Sequence, residues 1–307
     1  VTLNLVLGQA LNGLQFGLLL FLMAAGLTLV FGIMSFVNLA HGSLYMFGAY
    51  FAATIATHSG SFLLAVALSA ALMFVLGLLL DAGGLRVLHQ RSHLDQVLAT
   101  FGVVIFANEL VRVVWGNAPI YMDAPEALGG AVNLLGLNYP SYRFAIIVVG
   151  VLVALGLYLL IERTRMGMLI RAGATNRRMV SALGVNIAWL NRLVFALGAA
   201  LAGLAGAMVG PIMSIEPGMG EPVLILTLVV IVIGGIGSIR GAFFGALVVG
   251  LVDTLGRIFI PIWLRESFDP AVATAVGPAL ASMLVYLLMA VLLAFKPDGL
   301  FPVKARG

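Results

Sequence analysis

The sequence has no cysteine, two lysines and few charges of any kind. Without cysteine there are no disulfides, no zinc–thiolate sites and no thiol nucleophile. The lysines, Lys296 and Lys304, follow Phe295 and Val303. A Walker-type phosphate loop needs glycine before its lysine and Ser or Thr after it, so this chain does not hydrolyse ATP by that route. Asp, Glu, Lys and Arg make up 9% of the 307 residues, where soluble domains carry roughly 25%. None of them precedes Asp81. An uncharged stretch of that length cannot be the surface of a soluble protein. With 62% hydrophobic residues, the chain reads as all-α, a polytopic bundle of membrane helices. The first apolar run lacks a basic flank and is too long for a secretory signal, so it is read as a span.

Candidate spans are Leu11–Ile33, Leu39–Thr57, Phe62–Leu80, Val97–Trp115, Phe144–Ile161, Leu193–Ile215, Val223–Ile236, Ala242–Ile260 and Thr274–Phe295. At about 20 residues per crossing they predict about nine crossings, with eight to ten compatible, in a single transmembrane domain over residues 1–307. The seventh is short and runs into Gly234 and Gly235, as a half-helix broken inside the protein would. Basic residues set orientation. Arg86, Arg91, Arg163, Arg165, Arg171, Arg177, Arg178, Arg240, Lys296, Lys304 and Arg306 fall on one side; the other has Arg265, with Arg143 at a membrane edge. That second side carries Asp123, Glu126, Glu216, Glu221, Glu266 and Asp269. The amino terminus is therefore expected outside and the carboxyl terminus inside. The net charge of +4 reports this orientation and does not suggest a nucleic-acid partner. Pro119, Pro125, Pro140 and the Gly129–Gly130 pair favour turns over helix in the outside loop Gly116–Tyr142. That loop is either a plain solvated connection or a docking surface.

No catalytic constellation emerges. His41, His58, His89 and His93 fall in different segments, and a metal site needs more ligands than any one of them offers. An ion-coupled carrier usually places an unpaired carboxylate or histidine at mid-membrane. Here Glu109 with Arg112, and Asp253 with Arg257, are spaced to neutralise one another on a helix face. His41 lies in the run Asn38-Leu39-Ala40-His41-Gly42-Ser43. On a helix, Asn38 and His41 would face similar directions. Either Asn38 caps a helix end there, or the segment lines a substrate path.

The inside loop Glu162–Asn191 is too long for a simple helix connection. Thr175 or Asn176 is suited to cap a short helix. Met179, Val180 and Leu183 would form its apolar stripe, Arg177 and Arg178 would stay in water, and Gly184 would end it. A two-turn helix is marginal alone, which favours docking on a cytoplasmic protein; the alternative is an anchor on lipid headgroups.

These segments resemble those of the shorter permease subunits (the LivH type) of branched-chain amino acid ABC importers. The resemblance covers nearly the whole length. It rests on Gly26–Gly32 with Val37–Tyr50, on Leu98–Gly102, on Gly167–Gly184 continuing into Phe195–Gly206, on Gly234–Gly241, and on Lys296–Phe301. It implies a type II-like importer fold that also contains a second homologous permease, two cytoplasmic ATPase subunits and a periplasmic substrate-binding protein, set in the lipid of a bacterial inner membrane. This chain would bind no cofactor; the partner ATPases would use ATP-Mg. Residues 162–191 would be the coupling loop, with Arg171, Ala172, Arg177, Arg178, Met179, Leu183 and Gly184 meeting an ATPase. Asn38, His41, Gly42, Tyr45 and Thr100 would line the path. Asp123, Glu126, Glu216, Glu221, Glu266 and Asp269 would receive the binding protein. Members of the family carry branched-chain or other amino acids, urea or aromatic carboxylates. Arg240 departs from the small residue or proline expected at its position.

Overall fold

The computed structural model describes residues 3–88, 91–134 and 136–301. His89, Lys304 and Arg306 lie outside the described residues. The helices are α1 (Leu3–Met34), α2 (His41–Ser59), α3 (Phe62–Leu80), α4 (Arg86–Leu88), α5 (His93–Trp115), α6 (Ser141–Arg163), α7 (Arg165–Thr175), α8 (Arg177–Ala182), α9 (Ile187–Val209), α10 (Gly220–Gly234), α11 (Ile239–Ser267) and α12 (Pro270–Phe295). A π-helical turn over Asp81–Leu85 links α3 to α4. Among the described residues, seven helices are long and apolar enough to cross a membrane. With α2, which is more polar, and α10, which is shorter, the apolar helices match the nine expected stretches. Their bounds differ locally: α9 stops at Val209, and the chain turns before Ile215.

The bundle is organised around α1. The most apolar window of α1 is 83% buried, against 11% for α12, so α1 is the core and α12 lies at the periphery of the chain. An all-round apolar helix has no amphipathic stripe to orient it, so close backbone approach takes over that task. A Cβ on Gly48 of α2 would strike the backbone of Gly203 on α9, and one on Gly206 would strike the Tyr45 carbonyl. In the same way a Cβ on Gly42 would lie 2.6 Å from the Gly220 carbonyl oxygen at the start of α10.

The chain between α1 and α2 is not helical, although it packs against α5, a helix long and apolar enough to cross a membrane. Ser35 turns the chain with φ of 50°. His41 then hydrogen-bonds through Nε2 to the Met23 carbonyl at 3.2 Å. Met23 lies eleven residues back along α1, so α2 begins roughly 16 Å inside the end of α1 at 1.5 Å per residue. Backbone groups in a bilayer must find protein partners. Here α5 supplies them: the Val37 N–H donates to Gln96 Oε1 at 3.2 Å, and the Leu39 N–H donates to Thr100 Oγ1 at 3.2 Å. The N-cap of α2 is Ala40, with no side-chain capping bond. Asn38 therefore does not cap the helix, and it does not share a helix face with His41.

At the acidic end, the expected turns appear as a 3-10 turn at Glu126–Leu128 and a hairpin of β1 (Ala131–Leu134) and β2 (Leu137–Pro140). The strands are antiparallel, pairing Ala131 with Pro140 and Leu134 with Leu137. Tyr139 Oη and Arg143 both donate to Asn12 Oδ1, at 3.2 and 2.8 Å, fastening the hairpin and the start of α6 to α1.

Candidate functional site

The interior residues form a packed polar seam. Asn38, His41 and Thr100 are 2%, 1% and 0% exposed, and Tyr45 and Gly42 are also buried. The Thr100 hydroxyl donates to the Gln96 carbonyl at 2.7 Å while accepting from Leu39. Its role in this conformation is to hold the broken segment. Neither amide atom of Asn38 has a hydrogen-bond partner. Neither of the two described cavities is lined by these residues. Sequence reasoning missed Gln96; its signal was its four-residue spacing from Thr100, which puts both on one face of α5.

The basic end carries two short helices where one was expected. Thr164 caps α7 by accepting from the Gly167 N–H at 3.1 Å, and Asn176 caps α8 by accepting from the Met179 N–H at 3.0 Å. Gly184 follows with φ of 86°, the left-handed geometry that ends a helix without a Cβ penalty. The expected stripe divides. Val180 is 6% exposed and packs inward, while Met179 and Leu183 are 61% and 76% exposed. Arg178 is exposed, but Arg177 is only partly so, and one of its terminal nitrogens is buried without a partner. Burial accordingly pushes the Arg177 guanidinium below its usual pKa. Arg177 is thus not the fully wetted side chain that the sequence suggests.

Glu162, at the end of α6, ties this pair of helices to the bundle. It receives Arg171 of α7 at 3.3 Å and Arg240 of α11 at 3.1 Å. Arg171 also donates to the Ile161 carbonyl. Arg240 lies 5.8 Å from the ring centroid of Tyr158. The unexpected arginine at position 240 therefore joins α6 to α11, beside an apolar cavity of about 210 Å³ lined in part by Phe21, Leu157, Tyr158 and Phe243. Ala172 is partly buried in α7. Nearby, Asp81 is 1% exposed and lies 3.7 Å from Arg192 at the start of α9.

At the opposite end, Asp123, Glu126, Glu216, Glu266 and Asp269 are exposed. Asp269 also caps α12, accepting from the Ala271 N–H at 2.8 Å. Glu221 differs. It is partly buried and takes the Asn108 side-chain N–H at 2.6 Å, so it is turned inward, away from the acidic surface. The two helix-face pairs form as spaced: Glu109 with Arg112 at 2.5 Å, and Asp253 with Arg257 at 2.8 Å.

Comparison with known proteins gives one consistent result. The family described as branched-chain amino acid transport system / permease component matches residues 9–293. The high-affinity branched-chain amino acid transport system permease protein BraD of Pseudomonas aeruginosa is 29% identical, covering 96% of this chain and 95% of its own. The corresponding LivH protein of Escherichia coli K12 is 29% identical, covering 83% and 87%. The ribose import permease protein RbsC of the same organism is 26% identical, over 76% and 72%.

Proposed function

The chain belongs to the family of branched-chain amino acid transport system permease components, and from that premise we propose that it is the membrane subunit of an ABC importer carrying branched-chain amino acids inward. Its role is non-catalytic transport. ATP-Mg is used by two cytoplasmic ATPase subunits, a second homologous permease completes the path, and a periplasmic binding protein delivers the substrate. The relatives named for branched-chain amino acids match over most of their length, and this favours that substrate class over urea or aromatic carboxylates. An ion-coupled carrier is disfavoured because Glu109 and Asp253 are neutralised on their own helices.

The observation that carries the reading is the exposed apolar pair Met179 and Leu183 on a capped two-turn helix, set among arginines. Such a helix gains little from its own chain and presents its apolar groups outward, as a docking element does. Residues 162–191 form this coupling segment within a single domain. The basic end faces the cytoplasm, because basic loops are retained there, which puts the amino terminus outside and the carboxyl terminus inside. An ATPase pressing on α8 would move α7. The Arg171–Glu162–Arg240 links would carry that movement to α6 and α11.

Gentle purification of the tagged chain from its native membrane tests the assignment. It should recover a second permease and two ATPases. Recovery as a self-sufficient carrier, active in liposomes with an ion gradient alone, would reject it.

A further inference from the structure

Glu221 and Asn108 are more than a contact between α10 and α5. Asn108 Nδ2 donates to Glu221 Oε1 at 2.6 Å, which fixes the amide orientation, because two oxygens could not face one another. The opposite atoms, Glu221 Oε2 and Asn108 Oδ1, are shielded from solvent and have no hydrogen-bond partner. Two neighbouring side chains thus each keep an idle acceptor, one of them part of a carboxylate. A buried acceptor left without a donor is costly. A helix-to-helix clasp explains one oxygen of Glu221 and neither idle atom. Favourable placement of an acid in the first turn of α10 explains the charge but leaves Oε2 unbonded.

Among the described residues, no cation bonds either idle oxygen. Arg112 lies one turn from Asn108 on the same face of α5, but it is bonded to Glu109 at 2.5 Å. A cleft of about 580 Å³ on the acidic end is lined by Glu109, Arg112, Val113, Asn117, Glu216 and Pro217. These residues sit immediately toward that end from Asn108 on α5 and just before Glu221 in the chain.

We infer that Glu221 Oε2 and Asn108 Oδ1 form a subsite for the primary ammonium of the transported amino acid, reached from the acidic-end cleft. An ammonium offers three donors and one positive charge, which suits two idle acceptors and one carboxylate. This inference rests on the importer reading above and specifies one contact within it.

The test uses the complete importer in proteoliposomes, with its binding protein, internal ATP and leucine. In Glu221→Gln the amide keeps the size of the side chain and removes the charge. Leucine uptake per complex should fall at least tenfold, with complex recovery and binding-protein affinity unchanged; Glu221→Asp should restore part of the rate. Uptake by Glu221→Gln within twofold of the parent would overturn the subsite and leave the importer reading intact. Failure of Glu221→Gln to assemble would also overturn it, since the carboxylate would then be serving as a clasp. If the parent importer carries benzoate or urea but not leucine, the substrate reading fails, and the ammonium assignment fails with it.

Discussion

Truncating Leu183 to alanine separates docking from folding. Leu183, at the end of α8, is 76% exposed and Val180 is 6% exposed, so the first probes the outward surface and the second the packing of the chain. If an ATPase covers Leu183, Leu183→Ala removes three buried carbons from that interface. At about 0.8 kcal/mol per buried methylene the loss is about 2 kcal/mol, which corresponds to roughly 30-fold weaker binding. Fluorescence titration of the solubilised permease with its ATPase subunits reads this directly, and the thermal unfolding midpoint of the isolated chain should not move. Val180→Ala should do the reverse, removing about 1 to 2 kcal/mol of stability from the chain by the same scale. An unchanged ATPase affinity in Leu183→Ala would refute the docking role. A lowered unfolding midpoint in that variant would show that Leu183 packs within the chain.

Three further outcomes follow from the packing. Gly206→Ala drives a Cβ into the Tyr45 carbonyl of α2; overpacking of this kind costs about 1 to 3 kcal/mol and should lower the midpoint in detergent. Thr100→Val removes the acceptor for the Leu39 N–H within the bilayer, at a cost of about 1 to 3 kcal/mol, and should speed amide exchange at Leu39 ahead of the core of α1. Glu162→Gln weakens both the Arg171 and Arg240 links; leucine taken up per ATP hydrolysed should fall while the amount of assembled complex holds.

The spans, the uncharged opening and the clustering of basic residues were legible because they are properties of composition and position along one chain. The capped turn at Asn176 and the stop at Gly184 were legible for the same reason: the residues that make them are within a few positions of each other. The inside segment at 35–40 was not. Its backbone partners, Gln96 and Thr100, are about 60 positions away, and nothing local to Asn38 reveals that α5 holds the chain open. The inward turn of Glu221 was not legible for a similar reason, since only its contact with Asn108 reveals it. Met179 and Leu183 matched the spacing of a buried stripe, but spacing cannot say whether the surface they cover belongs to this chain or to another.

The most direct test of the central reading is leucine uptake into proteoliposomes holding either this chain alone or the chain with its second permease, both ATPases, binding protein and internal ATP. The expected result is uptake only by the full assembly and only with ATP. Leucine accumulation by the chain alone, driven by a proton or sodium gradient, would contradict it.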